Sequence, residues 1–315
     1  MNFEKFGLVN TKKLFADALE RHYAIGAFNF YNMETLNAII NAASDCHSPV
    51  ILAVSESALK YMGDDLLMGM IAGKKLKKSD NVVLHLDHGS CYEACVHAIK
   101  LGFSSVMIDA SKLPFNENIK LSKRVANYAH KYNVTVEAEL GILSGIEDEN
   151  THSNFGFYTN PSDAEKFVSD TNVDSLAIAI GTSHGAYKRK NPNEKLRFDI
   201  LDAIAERMPN LPLVLHGASS IPAKLVNEIN LYGGKMENAL GISPAQIRRA
   251  ISTNICKINV DSDNRIAFTA SVRKTMFKNP SEFNPRKYLG AAQEAVYKNC
   301  TNEIKNIMKS ENKLK

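Results

Sequence analysis

Eight short, almost continuously apolar runs recur along the 315 residues, and each is followed by a stretch with helical periodicity. The runs are AIGAFNF (24–30), PVILAV (49–54), VVLHLDHG (82–89), SVMIDAS (105–111), VTVEAELG (134–141), SLAIAIG (175–181), LPLVLHG (211–217) and ICKINVD (255–261). A strand covered on both faces has no polar side to show, so such runs read as the buried strands of a parallel sheet. Between them, METLNAIINAASDCH places Leu36, Ile39, Ile40 and Ala43 on one helical face, and NIKLSKRVANYAHKY does the same for Ile119, Val125 and Ala129. Eight βα units without a Pro/Gly/Ser linker predict a (β/α)8 TIM barrel, a single domain spanning residues 1–315. A doubly wound nucleotide fold is disfavoured, because no GxGxxG follows the first strand. Residues 263–315 read as helical. The part beyond Pro285 exceeds what a barrel needs and forms a C-terminal helical arm, about 280–315, suited to packing on a neighbouring subunit.

Composition narrows the function classes. With 44% hydrophobic and 23% charged residues the chain has the balance of a soluble globular protein. Its 38 basic against 34 acidic residues are too even to argue for nucleic acid, while a small acidic substrate stays open. Five cysteines without a CxxC pair read as reduced thiols in a cytoplasmic setting. The start MNFEKFGLVN lacks a signal-peptide pattern, and no run approaches the roughly 18 apolar residues of a membrane span. Lys74, Lys75, Lys77 and Lys78 read as a solvated helix end.

In a barrel of this kind the chemistry collects at the C-terminal ends of the strands. Those ends carry Asn29, Ser55, Asp87 with His88, Asp109, Glu139, His184, His216, and Asn259 with Asp261. Any one of the histidines could simply satisfy a loop. Three of them, His88, His184 and His216, at equivalent strand ends also match a catalytic metal site with an open position. Asp87 beside His88 is either an acid/base group or a partner that orients a ligand imidazole. After the fifth strand, SGIEDENTHSNFGFYTNPSD is long and polar, as an ordinary acidic loop or a lid would be, and carries Glu147, Asp148 and Glu149. The turns GTSHGAY and HGASS, with Ser262 and Arg265 after the last strand, are tight-turn chemistry or a phosphate cradle. Lys188, Arg189, Lys190 and Arg286 are candidates for a second phosphate.

Taken together, the stretches GAFNFYNMET, LHLDHG, VEAELG with GIED, IGTSHGAY, LHGASSIP, KINVDSDNRIAFT and FNPRKYL, in that order from residue 26 to 289, resemble the class II, metal-dependent fructose-1,6-bisphosphate aldolases. KINVDSDNR and the GGKMENALGI insertion are most similar to the group found in many bacteria and some protists. The resemblance implies reversible aldol cleavage of fructose-1,6-bisphosphate to dihydroxyacetone phosphate and glyceraldehyde-3-phosphate, through a zinc-stabilised enediolate, in glycolysis and gluconeogenesis. It makes His88, His184 and His216 the Zn2+ ligands, Glu139 a possible alternative ligand, and Asp87 the group exchanging a proton with the C4 hydroxyl. Glu147 matches the lid carboxylate that moves the C3 proton, though Ile146 stands where the more common pattern has an acid or Gln. Gly185, Gly217, Ser219, Asp261 and Ser262, with Asn29 and Asn259, match contacts to the triose phosphate. Lys188, Arg265, Arg286 from across a subunit boundary, and Ser55 match the C6 phosphate group. A monovalent cation (Na+ or K+) near Ser183, Gly185 and Ser219, and a homodimer or homotetramer, complete what is implied.

Four rivals stand beside this reading. A Schiff-base aldolase needs a lysine inside the barrel, and Lys257 shares parity with Asn259 and Asp261. Tagatose-1,6-bisphosphate, which differs at one stereocentre, is the alternative substrate. A non-catalytic barrel would tolerate Asp87→Ala. An amidohydrolase would want two histidines one residue apart on the first strand, which reads AIGAFNF instead.

Overall fold

All eight apolar runs form parallel strands of one closed barrel. The computed structural model describes residues 2–147, 150–152, 157–186 and 195–314, with residues 144–147 and 150–152 described as backbone. In chain order the strands are β1 (Ile25–Asn29), β2 (Val50–Ser55), β3 (Val82–Gly89), β4 (Ser105–Ile108), β5 (Thr135–Leu140), β6 (Ser144–Glu147), β7 (Asn150–His152), β8 (Ser175–Ile178), β9 (Ser183–His184), β10 (Leu213–Leu215) and β11 (Ile255–Val260). The barrel runs β1-β11-β10-β8-β5-β4-β3-β2 and closes where Ile25 pairs with Lys257. β1, β2, β4, β8, β10 and β11 are buried at every residue, which is why their sequences lack alternation.

The helices follow their sequence signals. Asn32 and Thr35 form a capping box for helix Met33–Asp45, whose Leu36, Ile39 and Ala43 are buried while Ile40 packs half-buried against the core. Helix Phe115–Ala129 buries Val125 and Ala129, with Ile119 partly covered. The N-terminal end of the barrel is stoppered by helix Thr11–Arg21, which presses Leu14, Phe15 and Ala18 onto Ile25, Ala27, Ile51, Ala53, Val83 and Cys256. Burying a Leu or Phe contributes about 1.5–3 kcal/mol, so this plug is a substantial part of the fold's stability.

Helices Ser262–Lys278 and Pro285–Asn302 pack on each other, and the latter also packs on helix Met33–Asp45. The π-helix Glu303–Met308 then buries Ile304, Ile307 and Met308 in this chain's own core, and Ala24 N donates to Met308 O at 3.0 Å. Gly26 admits this approach: a Cβ there would stand 2.8 Å from Met308 Sδ and 2.5 Å from the Phe28 ring. No helix among the described residues is long and apolar enough to cross a membrane. A small second sheet joins the acidic stretch after β5 to the mouth, since β6 pairs antiparallel with β7 and parallel with β9 at Ser144 to Ser183 and Gly145 to His184.

Candidate active site

Side chains alternate along a strand, so a charge at one inward position is followed two residues later by another inward position nearer the mouth. His85 and Asp87 on β3, Glu137 and Glu139 on β5, and Lys257 and Asn259 on β11 are such pairs, and all six are buried. His88 breaks the alternation. Its φ of 50° lies in the left-handed region, and the pairing of β3 with β4 shifts register between Leu86 and Gly89. Neighbouring residues Asp87 and His88 can therefore both reach the mouth, which a regular strand would forbid.

Three imidazoles converge there. The His88 ring centroid lies 5.1 Å from that of His184 and 4.6 Å from that of His216, and the last two are 6.3 Å apart. A carboxylate sets the tautomer of two of them. His88 Nδ1 donates to Asp109 Oδ2 at 3.0 Å, and His216 Nε2 donates to Glu137 Oε1 at 2.7 Å. The remaining nitrogens, His88 Nε2 and His216 Nδ1, then face each other as two lone pairs 2.8 Å apart. Asn259 Nδ2 stands 3.4 Å from His216 Nδ1, and a shared proton or a cation would relieve the opposition; neutral imidazoles of fixed tautomer are what a divalent metal takes. Asp87, His88 and His216 bring ligand atoms within 4.8 Å of one another, as do His88, Asp109 and Glu139. The donor set fits a metal ion.

Charges beneath the imidazoles explain their state. Lys257 Nζ donates to Glu137 at 3.0 and 2.8 Å, in a pair with almost no exposure. Burial pushes the Glu137 carboxyl up, but Lys257 and His216 more than reverse this and hold it well below the usual range. Burial and the Lys257 charge lower His216, and the same causes bring His85 down to about 3. Lys257, the Schiff-base candidate, is thus committed to Glu137.

Asp87 sits between two amides: Asn29 Nδ2 donates to Oδ2 and Asn259 Nδ2 to Oδ1, each at 2.8 Å. Burial opposes its charge, yet His88, Lys257, His216 and His85 outweigh burial and keep the carboxylate ionised far below its ordinary range. Both amide oxygens, Asn29 Oδ1 and Asn259 Oδ1, are buried without a hydrogen-bond partner among the described residues. The residues Asn29 and Asn259 line a cavity of about 810 Å3 together with His184, Gly185, Gly217, Ser219, Asp261, Ser262 and Arg265. Gly217 (φ 60°) is required, because a Cβ would stand 2.6 Å from Ser183 O. Arg265 Nε donates to Asp261 Oδ1 at 2.8 Å, and the guanidinium stands 5.4 Å over the Tyr31 ring.

Other expected residues lie elsewhere. Ser55 caps helix Glu56–Met62, accepting from Ala58 N at 3.3 Å, and its side chain meets Ser57 Oγ at 3.1 Å. Glu139 is buried on β5, in reach of His88 and Asp109, and its backbone carbonyl accepts from Asn118 Nδ2 at 3.0 Å. Arg286 is exposed at the start of helix Pro285–Asn302, away from the cavity, with its Nε 3.4 Å from Asn284 Oδ1. The backbone of Glu147 ends β6. Lys188, Arg189, Lys190, Asp148 and Glu149 fall outside the described residues. Glu137 was missed from the sequence, although it shares parity with Glu139 on one strand as Lys257 does with Asn259 on another. Asp109 stands out in the sequence only as a strand-end residue, because its link to His88 is a contact across 21 residues.

Comparison with known proteins bears on the chain as a whole. A model of the family described as fructose-bisphosphate aldolase class-II matches residues 9–313. Fructose-bisphosphate aldolase of Treponema pallidum (strain Nichols) is 46% identical over 327 residues, covering 98% of either chain. That of Giardia intestinalis is 44% identical over 301 residues, covering 95% of this chain and 92% of its own. Among solved structures, the YdjI aldolase from Escherichia coli K12 superposes with a TM-score of 0.77 at 30% identity, over 98% of this chain and 100% of that one. A carboxylate-braced histidine cluster at the mouth of a closed barrel and a family match over nearly the whole length lead to one assignment: the chain belongs to the class II fructose-bisphosphate aldolases.

Proposed function

We propose that this chain cleaves fructose-1,6-bisphosphate reversibly to dihydroxyacetone phosphate and glyceraldehyde-3-phosphate, the aldol step of glycolysis and gluconeogenesis, in the cytoplasm. The observation that carries this reading is the pair of tautomer-fixed imidazoles facing each other 2.8 Å apart beside an ionised Asp87. His88, His184 and His216 would hold Zn2+, with Glu139 near enough to His88 to serve as an alternative ligand. When bound, Zn2+ supplies Lewis-acid stabilisation of the negative charge that develops on substrate oxygens, worth several kcal/mol.

The protein's own groups do the rest. Asp87, kept ionised by the charges around it and oriented by Asn29 and Asn259, takes the C4 hydroxyl proton as the C3–C4 bond breaks. The unsatisfied oxygens of Asn29 and Asn259 offer acceptors to substrate hydroxyls. Glu147 delivers the C3 proton from the stretch that β6 ties to the His184 strand. Gly185, Gly217, Ser219, Asp261 and Ser262 receive the triose phosphate through backbone N–H groups and small hydroxyls, beside a Na+ or K+ ion near Ser183. Arg265, Lys188, Ser55 and a partner copy's Arg286 engage the C6 phosphate in a homodimer or homotetramer. Two anchored phosphates hold the scissile bond in place. The relatives bear the fructose rather than the tagatose name, which favours the former substrate.

Triose release from fructose-1,6-bisphosphate, measured before and after exhaustive chelation and then zinc restoration, tests this. The expected result is activity that vanishes with chelator and returns with zinc. Activity indifferent to chelator would overturn the metal reading and return attention to Lys257, and an inactive but folded, zinc-loaded protein would overturn the substrate.

A further inference from the structure

The turn after β10, residues 217–221, brings Gly217 and Ser219 to the cavity without belonging to any helix or strand. Its backbone is unusual at both ends. Gly217 has φ 60° and Ile221 has φ 50°, and a β-branched residue in the left-handed region persists only where its surroundings impose it. Two of those surroundings are outside contacts: Gly217 lies against the Ser183 backbone, and Gly241 lies so near that a Cβ would stand 2.4 Å from Ser219 O. Ile242 N also donates to Ser219 O at 3.1 Å.

The third is a carboxylate on the inner side. Asp263 Oδ2 accepts from Ser220 N at 2.8 Å and from Ser220 Oγ at 3.2 Å, while Oδ1 accepts from Ile221 N at 2.7 Å. Asp263 is 0% exposed and stands in the first turn of helix Ser262–Lys278, next to Ser262 at the cavity wall. One side chain thus satisfies two consecutive backbone N–H groups of a strained turn, including that of the strained residue itself. Burial, then the nearby Asp263 charge, push the Glu303 carboxyl on the π-helix well above the usual range.

We propose that Asp263 is a positioning residue for phosphate binding: it imposes the turn geometry that presents Ser219 and the adjoining backbone to a phosphate monoester, without touching the ligand. This deepens the bisphosphate reading and rests on it only for what carries the phosphate.

The test compares zinc-loaded wild type with Asp263→Asn and Ser220→Ala. The readouts are kcat and KM for fructose-1,6-bisphosphate, the dissociation constant of inorganic phosphate by calorimetry, and zinc content. Asp263→Asn keeps the shape but sets an amide donor against N–H groups. It should raise KM and the phosphate dissociation constant tenfold or more, with kcat changed less than threefold and zinc stoichiometry unchanged. Ser220→Ala removes one contact and keeps both N–H groups, and should move both constants two- to threefold in the same direction. It decides the matter if Asp263→Asn folds poorly. Phosphate affinity within twofold of wild type in the folded variants, or a loss confined to kcat or zinc content, would overturn the proposal. A wild type that binds phosphate yet cleaves no fructose-1,6-bisphosphate would overturn the substrate reading instead, leaving Asp263 to be judged on phosphate affinity.

Discussion

The two ends of this barrel are built from the same strands and obey opposite rules. At the N-terminal end, Ile25, Ala27, Ile51, Ala53 and Val83 meet Leu14 and Phe15 of the capping helix in a wholly apolar plug. At the other end, two to four residues along the same strands, Asn29, Asp87 and Asn259 are held in a polar lattice with two amide oxygens left over. Between them lies a buried but compensated layer, in which Lys257 and Glu137 neutralise each other and fix His216. The apolar end supplies stability that the mouth gives up by keeping buried polar groups for a ligand.

That division can be broken from either side. The largest expected effect is at the mouth, where Asp87→Ala removes the carboxylate proposed as base while leaving the plug intact. Turnover should fall about 10^3- to 10^4-fold, equivalent to about 4–5.5 kcal/mol, with the melting temperature of the zinc-loaded protein little changed. A variant that kept turnover would take the role of base away from Asp87. Next, Phe15→Ala should cost about 3–5 kcal/mol of stability in denaturant titrations, because Phe15 is 2% exposed in the plug. Its kcat and KM should stay within twofold under folding conditions; altered kinetics would show that the two ends are coupled. The smallest effect concerns the middle layer. Glu137→Gln with Lys257→Met removes both charges together, so neither is left unpaired. The zinc dissociation constant, read by chelator competition, should rise about 10- to 100-fold, as for other lost partners of ligand histidines. An unchanged constant would make the pair purely structural.

How legible each region was in the sequence follows from the same physics. The barrel strands stood out because burial on both faces removes polar residues from long runs. The capping helix did not, since TKKLFADALER buries only Thr11, Leu14, Phe15 and Ala18 and otherwise reads as polar surface. The sheet of β6, β7 and β9 was hidden for another reason: pairing Ser144 with Ser183 is a long-range event with no local pattern. At the site, strand-end position singled out the histidines and Asp87. Glu137 and Asp263 escaped because their importance lies in what they hold, His216 and the 217–221 turn, and contacts across 79 and 42–43 residues leave no trace in spacing.

The seam between Ile25 and Lys257 also has a temporal meaning. Synthesis at 5–20 residues per second puts roughly 10–50 s between the emergence of these two strands. Throughout that interval β1 can pair with β2 on one side but offers a bare hydrogen-bonding edge on the other, the kind of edge that recruits strands from other chains. Ala24 and Gly26, where the π-helix later settles, lie beside the same edge and stay bare even longer. The first barrel strand thus stays open on one side until β11 pairs with it.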